Sequence, residues 1–199
     1  GSDNIFYSRR IGRSPQGYPN TSDGEFVNQP DNTPIIGAAK FSGKTKDGWA
    51  IGVLESVTAQ RTATILNGNG DTRKEMVEPL TNYFVGRLQK DFNERNSYIG
   101  GIFTATNREN LPEQLNFLHD AAYTGGLDFK HQWANRDWYV GGNITLSHVR
   151  GSEEAITNTQ ESITHLFGRV GADHVAVDST RTSLTGTGGN VQIGKIGNG

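Results

Sequence analysis

The chain has no cysteine, so disulfides and thiolate metal sites are both excluded. Long apolar runs are missing too. The uninterrupted apolar stretches span only a few residues, too short for a transmembrane helix or for the core of a secretory leader. Neither sign of charge dominates: 19 basic and 21 acidic residues give a net charge of −2, which excludes an electrostatic nucleic-acid binder or a cationic surface protein. Proline is scarce beyond the lead-in, since four of the six fall within residues 1–34. Mean hydropathy is low, at −0.59. That value does not count against a membrane β-barrel, whose alternating strands need only half their residues to be apolar.

What is present is glycine and alternation. The 26 glycines fall largely inside predicted strands, where they mark bends or close approach of neighbouring backbones, as a barrel requires. The clearest alternation runs over residues 121–149. Tyr123, Gly125, Leu127, Phe129, His131 and Trp133 share one face, with Thr124, Gly126, Asp128, Lys130 and Gln132 on the other. A turn at Asn135–Asp137 follows, and the pattern resumes with Trp138, Val140, Gly142, Ile144 and Leu146. Soluble sandwich strands are usually about five or six residues long, whereas roughly nine to eleven are needed to cross a bilayer at a tilt. Both strands of this hairpin reach the longer figure.

Residues 1–34 show no sustained period and are read as an irregular lead-in, with residues 35–199 forming a β-barrel segment of about eight strands. In the lead-in, Arg9, Arg10 and Arg13 form a basic cluster suited either to an anion or to structural ion pairs. Ile35–Thr45 alternates, Lys46-Asp47-Gly48 turns the chain, and Trp49, Ile51, Val53 and Val57 continue the apolar face, interrupted by Glu55. Residues 62–76 are polar and read as a long loop. Leu80, Phe84 and Leu88 mark a third strand, and Glu94–Asn96 turns it into Tyr98–Thr106. After the central hairpin comes Gly151–Ile163, with a helical turn around Glu153–Thr157, and then a last hairpin pairing Thr164–Val177 with Ser183–Ile196 through Asp178–Arg181.

The resulting expectation is an all-β, antiparallel up-and-down meander forming part of an outer-membrane β-barrel. Trp49, Phe92, Tyr98, Trp133 and Trp138 flank three short turns and are expected at the membrane interface on the periplasmic side. Longer connections at 62–76, 107–118 and 151–163 then face outside. Lys40, Lys44, Arg87, Asp128 and Lys130 are expected to balance charge on a wet inner face. Both termini are expected to be cut from a longer protein.

No familiar catalytic or cofactor motif is complete. Gly43-Lys44-Thr45 lacks the spacing and the following helix of a phosphate loop, and residues 186–190 lack the third glycine of a dinucleotide fingerprint, so no nucleotide is expected. The five histidines show no close metal-ligand spacing, although His131 and His148 flank the central hairpin. No serine sits in a nucleophile elbow. Glu55 and Asp128 are the pair that a glycosidase would have to bring together. No metal, cofactor or catalytic residue is expected.

The stretches FYSRRIGRSPQG (6–17), AAKFSGKTKDGWAIGVLESVTA (38–59), VEPLTNYFVGRLQKDF (77–92), GGIFTATNR (100–108) and TSLTGTGGN (182–190) resemble a family of envelope proteins from Bacteroidota and some Proteobacteria. Its members carry an N-terminal module similar to family 9 carbohydrate-binding modules, followed by a region of unknown function thought to be a β-barrel. The resemblance implies an outer-membrane location and brings no catalytic residues with it. The leading expectation is a barrel segment that contacts outer-membrane lipid and binds or passes a glycan-derived solute. The alternatives are a soluble extracytoplasmic β-sandwich that binds carbohydrate, and an envelope hydrolase, a label some members carry.

Overall fold

A computed structural model describes residues 11–162 and 176–196. Among the described residues the chain is all-β apart from one helix and one 3-10 turn. Its strands are β1 (Phe26–Asn28), β2 (Ile35–Lys44), β3 (Trp49–Thr58), β4 (Arg61–Leu66), β5 (Thr72–Glu78), β6 (Thr81–Phe92), β7 (Ser97–Arg108), β8 (His119–Trp133), β9 (Trp138–Gly151) and β10 (Ser183–Lys195). The helix α1 (Glu153–Glu161) separates β9 from β10.

Seven strands form one antiparallel sheet in the order β10-β9-β8-β7-β6-β3-β2, and β1-β4-β5 form a second. The large sheet is a meander with one excursion: β4 and β5 leave after β3, and the chain returns as β6 beside it. Its strands run from 10 to 15 residues, so each is long enough to cross a bilayer at a tilt. Among the described residues β2 and β10 do not pair, and the sheet is open.

The three short turns lie together at one end. Residues 93–95 and 134–136 all adopt positive φ, and the turns close with Asn96 N–H donating to Asn93 O at 2.8 Å and Asp137 N–H to Ala134 O at 3.0 Å. Left-handed turn residues suit the right-handed twist of the flanking strands. Gly48, at φ +87°, does the same for the β2–β3 turn. Each turn is tied to its neighbour, by Asp91 N–H to Gly48 O at 2.8 Å and by Gln132 N–H to Asn96 O at 2.8 Å.

The buried apolar residues gather at the opposite end, where Ala63, Ile65, Val77, Leu115, Leu118, Ala155 and Ile156 form a cap. Full burial of an Ile or Leu contributes about 1.5–3 kcal/mol, so this cap is where packing in water stabilises the fold. Helix α1 starts because Ser152 Oγ accepts Ala155 N–H at 3.0 Å as an N-cap, with Glu153 and Glu154 in the first turn. The buried Gln160 amide then holds Asp178 from both sides, accepting its N–H at 2.8 Å and donating to its carbonyl at 2.9 Å.

Two expectations need correction. Residues 62–76 are not a loop: Ala63, Ile65 and Val77 give β4 and β5 an inner face, on which they pair. The lead-in is not wholly irregular, since Phe26–Asn28 pairs with β4. Ser183–Lys195 pairs with β9 along its whole length, and its expected partner in the last hairpin, 164–177, lies mostly outside the described residues.

Candidate functional site

Register settles what each face of the large sheet presents. One row across it reads Phe41, Val53, Gly86, Phe103, Gly125, Leu146 and Thr187; the next reads Gly43, Ile51, Leu88, Gly101, Leu127, Ile144 and Gly189. This apolar face is uncovered, with Leu127 60% exposed, Ile144 55% and Val191 75%. Toward the short turns the same face changes character. Trp133 and Trp138 stack with centroids 6.5 Å apart, His131 stacks on Trp133 at 5.7 Å, Lys90 Nζ lies 5.2 Å over the Trp49 ring, and Lys195 Nζ lies 5.9 Å over Trp138. Amphipathic rings under ammonium groups form a band where apolar rows give way to turns.

The opposite face is polar and wired. Lys44 Nζ donates to Asp91 Oδ2 at 2.8 Å, and Gln89 Nε2 donates to Asp91 Oδ1 at 2.9 Å. Arg87 Nη2 donates to Gln89 Oε1 at 3.2 Å and to Asp128 Oδ2 at 3.0 Å, while Nη1 donates to Asp128 Oδ1 at 3.0 Å. The chain of contacts runs from β2 to β8. It passes over Gly100 on β7, where an added Cβ would sit 3.0 Å from both Arg87 Nη2 and Asp128 Oδ1, so glycine there leaves the fork its path. A bidentate Arg–carboxylate pair fixes geometry as well as charge. Beside it opens a cleft of about 640 Å³ lined by Tyr98, Lys130, Tyr139, Asn143, Asn190 and Gln192, with Lys130 Nζ 5.4 Å over the Tyr139 ring. The cleft offers amide donors and acceptors, two phenol rings and one ammonium.

Residues 2–177 match a family described as a domain of unknown function, DUF5916. The chain belongs to this family. Comparison with curated proteins and with solved structures gives no match.

In this DUF5916 domain the five expected inner-face residues, Lys40, Lys44, Arg87, Asp128 and Lys130, share one face by register. Arg87, Asp128 and Lys44 are joined by the relay; Lys40 and Lys130 stand outside it. Of the aromatics, Trp49, Phe92, Trp133 and Trp138 lie on the apolar face, but Tyr98 does not. The pair that closes the β6–β7 turn is Phe92 with Ser97; Tyr98 pairs with Asp91 and Lys130 and therefore points to the polar side.

Glu55 and Asp128 cannot act together, because they project from opposite faces. Glu55 shares a row with Phe84 and is bonded by the Asn82 amide, while Asp128 is held by Arg87. His131 and His148 do not meet either, since His148 lies opposite Tyr123 and His131 opposite Val140. Among the described residues no group of three or more His, Cys, Asp or Glu could hold a metal ion. Arg13 is exposed, whereas Arg9 and Arg10 lie outside the described residues. Sequence reasoning passed over Gln89, Asp91, Asn143, Tyr139 and Asn190. The i, i+2, i+4 spacing of Arg87, Gln89 and Asp91 was the available signal for two of them.

Proposed function

We propose that this domain is a segment of an outer-membrane β-barrel, with its apolar face toward lipid and its polar face lining a lumen that binds or passes a solute. The observation that carries the reading is the uncovered apolar face of the long-stranded sheet, ending in tryptophans at its short-turn edge. In water that face would cost free energy at every row; in hydrocarbon it is matched. Closure of the sheet needs further strand pairing between β2 and β10, because bacterial single-chain barrels begin at about eight strands. The short turns then lie on the periplasmic side. The family resemblance supports a glycan-derived solute and an N-terminal carbohydrate-binding module in the full-length protein. The domain itself is read as non-enzymatic.

The test is heat-modifiable migration of the full-length protein taken from outer-membrane fractions into mild detergent. A faster-migrating band without boiling is expected. Recovery in the soluble periplasmic fraction, with no shift on boiling, would overturn the reading in favour of a sandwich-type binding module.

A further inference from the structure

The cleft beside the Arg87–Asp128 fork spans four adjacent strands of the polar face. Tyr98 lies on β7, Lys130 on β8, Tyr139 and Asn143 on β9, and Asn190 and Gln192 on β10. Register sets them in neighbouring rows. One reads Gln89, Gly100, Asp128, Asn143 and Asn190, and the next, toward the short turns, reads Asp91, Tyr98, Lys130, Gly141 and Gln192. Tyr139 stands in the row beyond, opposite Gly194.

Two glycines shape this space. Gly141 puts no side chain between Lys130 and Gln192, which leaves a hollow along their row. At Gly194 an added Cβ would meet Tyr139 Cε1 at 2.7 Å and its hydroxyl at 2.8 Å, so the ring reaches across β10 because that position is glycine. The ring forms a wall, and Lys130 Nζ rests 5.4 Å from its centroid. At about 640 Å³ the cleft falls within the roughly 300–1,000 Å³ of small-molecule sites.

Charge inside the cleft does not cancel. Asp128 is the one carboxylate among its lining residues, and both of its oxygens accept from Arg87. Lys130 forms no ion pair and no hydrogen bond among the described residues, which leaves one unmatched ammonium. That favours a ligand with one negative charge over a neutral or cationic one. The side-chain amides of Asn143, Asn190 and Gln192 likewise make no hydrogen bond among the described residues. Each offers two N–H donors and a carbonyl acceptor. Donor and acceptor at one position match hydroxyls, which do both, whereas a bare anion would leave the carbonyls unused.

We propose that this cleft binds a small polyhydroxylated solute with one carboxylate, a sugar acid. Its carboxylate meets the Lys130 ammonium and its hydroxyls meet the amides of Asn143, Asn190 and Gln192. The proposal rests on the reading of the polar face as solute-binding, but not on closure of the barrel, since every group it uses lies on four paired strands.

Isothermal titration of the full-length protein in mild detergent tests it, on the same preparation whose heat-modifiable migration is measured. The probes are galacturonate, glucuronate, galactose and acetate. At least one uronate should bind saturably, with galactose and acetate at least tenfold weaker because each lacks one half of the recognised groups. Loss of the charged contact in Lys130→Gln should weaken the uronate about tenfold and leave galactose unchanged. Asn143→Ala should weaken both sugars. Lys130 and Asn143 are half-buried at the cleft surface, and an unaltered heat shift shows that the variants fold. No saturable uronate binding, galactose or acetate binding as tightly, or uronate affinity unchanged in Lys130→Gln, overturns the proposal, and with the heat shift intact the barrel reading survives. Uronate binding that depends on Lys130 in a protein without a heat shift supports the cleft and overturns the barrel instead.

Discussion

Replacing Leu127 with arginine separates a lipid-facing sheet from a water-facing one. Leu127 lies six residues along β8 from Trp133, in a row flanked by Ile144 on β9 and Gly101 on β7. At about 3.4 Å per residue that is roughly 20 Å of strand. With a tilt of about 40° it corresponds to roughly 15 Å of depth, near the middle of an apolar band about 25 Å tall. Arginine at that depth costs about 2–4 kcal/mol, and the cost falls to about 0–1 kcal/mol near the interface, where Trp133→Arg supplies the comparison. On a water-soluble protein the outcome reverses: Leu127 is 60% exposed, and an exposed substitution stays within about 0.5 kcal/mol. The assay is reversible denaturant unfolding of the protein reconstituted in phospholipid vesicles, wild type against both variants. A change for Leu127→Arg below about 0.5 kcal/mol, or no difference between the two depths, would refute the reasoning.

Breaking the Arg87–Asp128 fork should show a coupling of about 1 kcal/mol in a double-mutant cycle of Arg87→Gln and Asp128→Asn, read by the same unfolding assay; the pair is bidentate but 37% and 23% exposed. The small sheet should loosen in acid. Glu25 is held down from 4.5 to about 2, first by the Arg73 guanidinium and then by the Ser22 amide. A carboxyl depressed on folding contributes stability above its unfolded value and loses it as pH falls toward the folded one. Hydrogen exchange at β1 and β4 should therefore speed up between pH 4.5 and about 2, and Glu25→Gln should flatten that response. At the short-turn end, Gly48→Ala should destabilise by about 2 kcal/mol in chemical denaturation, since its φ of +87° disfavours any side chain and an added Cβ would meet Asp91 O at 2.7 Å.

The β8–β9 hairpin was legible because its pattern is local: alternation over both strands, with Trp133 and Trp138 closing the turn. The turns at Gly48, 93–96 and 134–137 were legible for the same reason, and so was a helical turn around Glu153–Thr157, which the structure extends to Glu153–Glu161. β4 and β5 were hidden because their inner face is only Ala63, Ile65 and Val77 among charged neighbours such as Arg73, Lys74 and Glu75. Pairing of β10 with β9 skips the residues between them, which no local pattern encodes. Tyr98 was grouped with the turn-flanking aromatics because it and Phe92 bracket the turn in sequence, whereas the closing pair is one residue earlier, at Ser97, which turns Tyr98 to the polar face. The relay from Lys44 to Asp128 joins residues whose separation in sequence carries no hint of contact. Register brings them together.

The most direct test of the central claim is a spin-label scan along β8, a stretch of these 199 residues that holds no native cysteine, with any cysteine elsewhere in the full-length protein first replaced by serine. Single cysteines placed in turn at 124–130 of the full-length protein in vesicles would be labelled and probed with oxygen, which concentrates in lipid, and with a polar nickel chelate, which stays in water. The account predicts a period of two, with Gly125, Leu127 and Phe129 accessible to oxygen and Gly126, Asp128 and Lys130 accessible to the chelate. Leu127 and Phe129 accessible to the chelate, or shielded from both probes, would contradict it.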